Sequence, residues 1–338
     1  IITHSANNTS IRKVKNDKID SKGIAKLGLS KDIPVSQFPA KLVLELRSLT
    51  RKYYDLTDER SAHINKLKGD LHTVFPQYLD VFCDVTGKTS TMILRQYGTP
   101  DKILRGHKKT MIEKISKASR KGLAKASERY EKLCAAANAA KTFGCQIDSI
   151  YFNIFLTLDL VEKLDSALDS ILNRIRQLIT FNKNEKFIQQ IKLLNTIPGV
   201  GFLTAVTIMC EIGDFSAFRN PKQLFAYFGL DPEVNESGKF VGTQLHMSKR
   251  GSRIARRAIF AVALASIRTK RNGEGINPYL RKYYELKSGQ KPKMVAIGAV
   301  MHKVCNIVFA VLRDEKAFEL RSPEEHCKQY QRPALAAA

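Results

Sequence analysis

Hydrophobic residues recur at helical spacing along most of the chain, and this pattern predicts a mainly α-helical protein. From Pro39 to about Leu71, apolar residues follow the i, i+3, i+4, i+7 spacing of one long amphipathic helix. Residues 74–147 carry shorter helical stretches separated by glycines, including a Lys- and Arg-rich stretch from Lys108 to Lys132. A further helix is expected to begin at Asn16 or Asp17. Strands are expected only near the N-terminus and in a short ribbon over residues 240–245.

A heptad repeat occupies the middle of the chain. Its first apolar series is Ile154, Val161, Leu168 and Ile175, and its second is Leu164, Ile171 and Leu178. The repeat predicts a coiled-coil linker over residues 148–185 that joins copies of the chain into a dimer or tetramer. A long helix packed on its own domain is the alternative. The remaining boundaries then place one region at 1–147, another at 186–320 and a frayed tail at 321–338.

Charge points to the class of partner. The 338 residues include 56 Lys and Arg against 32 Asp and Glu, so the formal net charge is +24 and polyanions are attracted. Nucleic acid is the leading partner, and a basic protein that merely stays in solution is the alternative. We find no apolar run approaching the roughly 18 residues of a spanning helix, so no membrane partner is expected.

Cysteine usage predicts a reducing compartment. The six cysteines lie far apart, without the spacing of a zinc site, and are expected to be reduced thiols. We therefore expect a cytoplasmic protein. Because the chain opens on Ile1 rather than Met, we also expect its natural N-terminus to lie upstream.

The sequence from Leu194 to Gly201, L-N-T-I-P-G-V-G, has the form of a helix-hairpin-helix turn. Glycines at 199 and 201 permit a tight turn and expose backbone N–H groups at the start of the next helix, where the helix dipole favours a phosphate. Such a turn holds the DNA backbone without reading bases. A glycine turn between two packed helices is the alternative.

A segment rich in cations, glycines and serines follows. Cations beside a flexible serine can hold a phosphodiester while the hydroxyl attacks phosphorus, although most such serines simply cap turns. Ser237 is the candidate nucleophile, with Ser248 and Ser252 as alternatives in an equally basic context. The candidate DNA-binding residues are Lys239, Ser248, Lys249, Arg250, Arg253, Arg256 and Arg257.

Two carboxylates lie near the N-terminus. Asp17 and Asp20 are three residues apart and share one face of a helix, where they can hold Mg²⁺ if further ligands join them. Acids in a first helical turn are also typical of N-terminal capping.

The order of several motifs resembles the insertion-sequence one-ten family of transposases, which includes pilin-gene invertases. The resemblance runs from about Arg12 to Asp314. It rests on K-N-D-K-I-D-S, a long helical middle, I-P-G-V-G, F-A-Y-F-G-L-D-P, E-S-G-K-F-V-G-T, M-S-K-R-G-S and V-L-R-D, in that order.

This resemblance implies an RNase H-like (RuvC-like) domain whose D-E-D-D tetrad binds Mg²⁺, a coiled-coil linker and a serine-bearing transposase domain. It implies that a structured noncoding guide RNA selects donor and target DNA. Asp17 and Asp20 match the last two acids of the tetrad, and Ser237 matches the nucleophilic serine. Only sixteen residues precede Asp17, so the first Asp and the Glu have no counterpart. Residues 1–147 would then hold the last part of the RNase H-like domain with a helical extension.

The implied reaction is attack by Ser237 on a phosphodiester to form a covalent serine–DNA intermediate, assisted by Mg²⁺ at the acids of a partner subunit. Two other functions remain open. One is a non-catalytic DNA-binding module, which the basic charge and the glycine turn explain equally well. The other is a Mg²⁺-dependent nuclease of the Holliday-junction type, which needs the acids and not the serine.

Overall fold

The computed structural model describes residues 21–22, 25, 29, 39–143, 145, 147–183, 185–233, 236–237, 240–241, 246–322 and 324–325. The chain divides into two compact units, Ile1–Lys41 and Leu42–Ala338, and the second holds nearly all of the described residues. The helix expected to begin at Asn16 or Asp17 lies mostly outside the described residues, and Asp17 and Asp20 themselves lie outside them. The RNase H-like remnant stays a prediction.

Two helices of 34 residues each form a stalk. They are α1 (Lys41–Val74), which confirms the long helix predicted from Pro39, and α7 (Asp148–Phe181). They run antiparallel, because Arg60 pairs with Asp165 and the Tyr151 hydroxyl donates to the Val74 carbonyl.

The heptad seam of α7 is covered within the chain. All four residues of its first series are buried, and Ile175 lies in one cluster with Leu46 of α1. The second series, Leu164, Ile171 and Leu178, is half-buried. The repeat therefore serves intrachain packing, which was the alternative interpretation, and self-association stays a prediction that needs another surface.

A helical subdomain lies at the far end of the stalk, between α1 and α7. It consists of α2 (Tyr78–Val81), α3 (Lys88–Gln96), α4 (Pro100–Arg105), α5 (Lys108–Ser119) and α6 (Leu123–Phe143). Its core includes Phe75, Tyr78 and Leu133. The basic stretch from Lys108 to Lys132 was expected to be one helix, and this was wrong. Arg120 adopts a left-handed φ of 53°, which ends α5 and turns the chain into α6.

The C-terminal part is a helical bundle around its last helix. Its elements are α8 (Lys186–Leu194), α9 (Phe202–Ile212), a 3₁₀ turn (Phe215–Ala217), α10 (Pro221–Tyr227), α11 (Arg253–Ile267), α12 (Pro278–Ser288) and α13 (Lys293–Asp314). Helix α13 packs against α8, α10, α11 and α12. Val300, Val304 and Val308 lie in the resulting core.

Helix α13 is long and apolar enough to cross a membrane by length and composition, contrary to our reading of the apolar runs. Ten of its 22 residues are buried inside the protein. Burial on this scale is what the central helix of a core requires, since its neighbours cover it on several sides. We describe it as a core helix.

The described residues include two strands, each of two residues. Glu236–Ser237 (β1) pairs antiparallel with Phe240–Val241 (β2), with Ser237 opposite Phe240. The ribbon thus begins four residues before the predicted start at Phe240, and residues 242–245 lie outside the described part. The prediction of a mainly helical protein is confirmed.

Candidate nucleic-acid interface

The loop that carries Ser237 is closed at a narrow neck. The Ser248 hydroxyl donates to the Asp231 carboxylate at 2.6 Å, and the Ser248 N–H donates to the Asp231 carbonyl at 2.8 Å. A bridge between Pro232 and Met247 adds a second rung. Both ends of the loop are therefore held together, and the Ser248 hydroxyl is engaged in holding them.

Ser237 lies at the far side of this loop, in β1. Two residues, Gly238 and Lys239, separate it from Phe240 of β2, and this is the spacing of a tight hairpin. The structure describes Ser237 by its backbone alone, and Lys239 lies outside the described residues. The Ser237 backbone thus lies at the turn end of a short antiparallel ribbon, within the loop that the neck closes.

Two glycines let the chain pass itself closely below the neck. A Cβ on Gly251 would lie 2.0 Å from the Tyr227 carbonyl oxygen, which no side chain tolerates. Gly229 has a φ of +66° and a Cβ there would meet the Gly251 nitrogen at 2.5 Å. This crossing fixes the backbone immediately beside Lys249 and Arg250.

The predicted basic cluster divides into exposed cations and cations that hold the protein. Lys249, Arg250 and Arg253 are exposed. Arg256 donates to the carbonyls of Gly251 at 2.7 Å and Phe228 at 3.3 Å, and burial lowers its pKa. Arg256 is therefore hydrogen-bonded to both of the chain segments that cross below the neck, although it was predicted as a phosphate ligand.

Arg257 is held by the stalk. Its guanidinium pairs with Asp58 of α1 at 2.7 Å and lies 4.8 Å from the centre of the Tyr54 ring. Arg253 also approaches Asp58, at 3.5 Å, but its side chain remains 75% exposed. Arg253 can therefore turn to a phosphate at little cost, whereas Arg257 would have to leave two partners.

Ser252 is the N-cap of α11. Its hydroxyl oxygen accepts from the Ala255 N–H at 3.2 Å, and the hydroxyl is close enough to Glu211 to help lower the pKa of that acid. The alternative nucleophile of the sequence analysis is therefore part of a structural network.

Sequence reasoning missed Glu211, the buried acid at the centre of that network. Arg51 of α1 donates to both of its oxygens, at 2.8 and 2.9 Å, and Arg47 donates to the neighbouring Cys210 carbonyl at 2.7 Å. Burial raises the pKa of Glu211, but hydrogen bonds from Arg51 and Ser252 and the nearby positive charges outweigh it, so the pKa is lowered. An acid inside the apolar run F-L-T-A-V-T-I-M-C-E-I was the available signal.

The glycine turn joins α8 to α9 as its spacing predicted. Gly199 has a φ of +97°, and a Cβ there would lie 2.6 Å from the Ser266 hydroxyl, so this glycine packs inward against α11. Gly201 precedes α9, is exposed, and has open space around it. Only Gly201 faces solvent in the way that a phosphate contact requires. The Thr196 hydroxyl accepts from the Phe318 N–H at 2.8 Å, which ties the segment after α13 to this turn.

No group of three or more His, Cys, Asp or Glu side chains that could hold a metal ion occurs among the described residues. Asp17 and Asp20 are not among them. The two carboxylates are oxygen donors of the kind that Mg²⁺ prefers.

Family comparisons match two regions of the chain. A family model described as "Transposase IS116/IS110/IS902 family" matches residues 191–285, which include the glycine turn, the neck and the basic segment. A second model, described as "Transposase", matches residues 1–76.

Individual relatives agree with these matches. The "Insertion element IS110 uncharacterized 43.6 kDa protein" of Streptomyces coelicolor is 23% identical over 286 residues, which are 84% of this chain and 66% of that protein. The "Pilin gene-inverting protein" of Moraxella bovis is 30% identical over 177 residues, 52% of each chain. The "Transposase for insertion sequence element IS1111A" of Coxiella burnetii is 26% identical over 54% of this chain and 50% of its own length. The chain spans about half to two thirds of the length of these relatives.

Proposed function

The chain belongs to the IS116/IS110/IS902 family of transposases, and on that premise we propose that it recombines DNA through a serine nucleophile. The observation that carries the proposal is the neck closed by Asp231 and Ser248. The ribbon of Ser237 belongs to the loop that this pair closes, and the exposed cations Lys249, Arg250 and Arg253 follow the neck directly along the chain. Cations at this position would neutralise charge on the phosphoryl oxygens as the hydroxyl attacks.

In the proposed step, the Ser237 Oγ forms a bond to phosphorus and one P–O bond of the DNA backbone breaks. The serine proton ends on the departing deoxyribose oxygen, so the products are a serine phosphodiester and a free DNA hydroxyl. Serine is a weak nucleophile at its ordinary pKa, so its surroundings have to activate it. Rejoining to a second DNA end reverses the same chemistry and restores the serine.

Ser237 is favoured over Ser248 and Ser252 because the hydroxyls of those two serines form hydrogen bonds within the fold. Ser248 donates to Asp231 and closes the neck, while Ser252 caps α11 by accepting from the Ala255 N–H. A nucleophilic role would require either hydroxyl to abandon its structural bonds. Ser248 keeps one argument in its favour, because a carboxylate that accepts its proton would also activate it.

Asp17 and Asp20 would hold Mg²⁺ together with further carboxylates, and the bound ion would stabilise negative charge on the phosphoryl group. We further propose that a structured guide RNA selects donor and target DNA, and that the working form is a homo-oligomer. This function requires the protein to be in the cytoplasm, where it would act on the DNA of the nucleoid.

Strand exchange between donor and target duplexes tests this function. The full-length protein, its guide RNA and Mg²⁺ should yield joined products, and the Asp17→Asn, Asp20→Asn double variant should yield none while still binding DNA. Binding without any joining by the unaltered protein would favour a non-catalytic DNA-binding module. Cutting that survives Ser237→Ala and ends with the acid variant would favour a Holliday-junction-type nuclease.

A further inference from the structure

The α5–α6 turn carries a concentration of positive charge that the proposed function does not use. Residues 114–127 contain five cations and no acidic residue. All five are exposed and have no acidic side chain within ion-pair distance in the described part of the chain, and Lys114 lies over the Tyr97 ring. The other four are Lys117, Arg120, Lys121 and Lys125. We call these four residues the tip cluster.

The tip cluster is the acid-free centre of a longer basic stretch. Towards the edges of this stretch some cations have acidic partners: Lys132 pairs with Glu128 at 2.7 Å and Lys108 with Glu131 at 4.0 Å. The wider stretch from Lys102 to Lys132 has 11 cations and 3 acids, so a third of the net charge of +24 lies in under a tenth of the chain. Concentrating unpaired charge in this way costs electrostatic repulsion, which a bound polyanion would relieve.

The turn that carries these cations has a defined shape. The Ser116 hydroxyl donates to the Lys121 carbonyl at 2.8 Å, and the Ser119 hydroxyl accepts from the Lys121 N–H at 3.3 Å. Arg120 is held in the left-handed conformation between them. A Cβ on Gly122 would meet no atom within 4 Å, so a phosphate can approach the backbone there closely.

Along the stalk, the subdomain that carries this turn lies close to the basic segment at residues 249–253. Arg253 and Arg257 contact Asp58 of α1, and the core of the subdomain begins at Leu67, nine helical residues further along α1. At a rise of about 1.5 Å per residue this is roughly 14 Å along the helix axis. One turn of B-DNA is about 34 Å long, so a single duplex is long enough to reach both places.

We infer that the tip cluster is a second site for the phosphate backbone of duplex DNA, and that it binds without regard to base sequence. It would contact the duplex next to the part of the DNA that the basic segment at the neck binds. The inference rests on the proposed function only in that DNA is the partner. In this proposal the four cations contact phosphates, and phosphate contacts carry no sequence information.

Lysine acetylation of the full chain, read by mass spectrometry, tests this inference. On adding a random-sequence 40-base-pair DNA duplex, we expect Lys117, Lys121 and Lys125 to become protected several-fold, together with Lys249. Stalk lysines Lys52 and Lys66, which are exposed, should not be protected. Protection of Lys249 without the tip lysines would overturn the inference and leave the proposed function standing. If none of these four lysines became protected when DNA is added, the result would count against DNA as the partner.

A charge-matched pair of variants completes the test. The tip variant combines Lys117→Gln, Arg120→Asn, Lys121→Gln and Lys125→Gln, and the control replaces the exposed stalk lysines Lys52, Lys66, Lys68 and Lys163 by Gln. Each lost phosphate contact lowers the slope of log affinity against log salt by about one unit. We expect the tip variant to lower the slope by at least about two units and the control by less than about one. Equal slopes would overturn the inference, and so would protection and slope changes that occur only with a 40-base-pair RNA duplex.

Discussion

Arg51 and Glu211 form a two-point ion pair between the stalk and the helix that follows the glycine turn. Arg51 Nε lies 2.8 Å from one carboxylate oxygen and Nη2 lies 2.9 Å from the other. The acid is buried, while the Arg51 side chain is 52% exposed. Glu211 also lies close to Ser252, the N-cap of α11, so the pair connects α1 to the start of the basic helix α11. The stalk therefore positions the cations beside the neck.

Glu211→Gln should lower the free energy of unfolding by about 2 kcal/mol at pH 7, because it removes a charge-assisted pair from a buried position. The pKa of Glu211 lies below its ordinary value of 4.5 in the folded protein. The stabilisation is therefore complete above that pH and is lost as the pH falls through the folded pKa. Denaturant unfolding of the unaltered protein and of the Glu211→Gln variant at pH 7 and at pH 3.5 measures this. A difference in their free energies of unfolding that is the same at both pH values would contradict the prediction.

Gly251→Ala should disrupt the neck, since its Cβ would lie 2.0 Å from the Tyr227 carbonyl oxygen. We expect a loss of about 3 kcal/mol or more, because backbone rather than a flexible side chain has to move. Gly122→Ala is the matched control, with open space at its Cβ. Thermal melting compares the two variants, and equal melting temperatures would show that the chain segments at Tyr227 and Gly251 do not cross as described.

Arg253 and Arg256 should separate DNA contact from folding. Arg253→Gln should lower the salt slope of duplex binding by about one unit and leave the melting temperature unchanged, because its side chain is mostly exposed. Arg256→Gln should lower the melting temperature, because two backbone carbonyls lose their donor. The opposite assignment of the two effects would refute the division of the basic cluster.

Ile171→Asp should destabilise the protein, whatever it does to assembly. Ile171 packs against the core of its own chain, so a charge there costs about 2 kcal/mol or more. Exposed Asp169→Asn on the same helix is the control. Melting temperature and light scattering should be measured together; a smaller assembly at unchanged melting temperature would show that the heptad joins copies of the chain.

Hydrophobic spacing predicted the two stalk helices well because each buries one continuous face. The pattern did not reveal which helix covers the apolar face from Ile154 to Ile179. The heptad spacing is the same whether a second copy of the chain or α1 packs against that face. The break at Arg120 was also missed, because left-handed φ at a residue other than glycine leaves little trace in composition. Glu211, Asp231 and Asp58 were overlooked for a different reason: their partners lie 160, 17 and 199 residues away along the chain.

The sequence predicted the basic segment as one group of DNA-binding residues, but it did not predict that some of these side chains hold the fold together. Sequence places Arg253, Arg256 and Arg257 within five positions, and all three look like phosphate ligands. Helical rotation points Arg257 at Asp58 and folds Arg256 back on the neck, and only packing decides this. The assignments of Ser237, Asp17 and Asp20 remain predictions that chemistry has to test.

The covalent serine–DNA adduct tests the central claim most directly. The full-length protein, with guide RNA, Mg²⁺ and labelled DNA, should give a shifted band on a denaturing gel that disappears on protease treatment. Ser237→Ala should abolish this band while RNA and DNA binding remain normal. Ser248→Ala and Ser252→Ala should retain the band in the fraction of protein that is folded, because those hydroxyls hold the neck and cap α11. A band that survives Ser237→Ala and is lost with Ser248→Ala would move the nucleophile to the serine beside Asp231, and the absence of a band from the unaltered protein would contradict the serine mechanism itself.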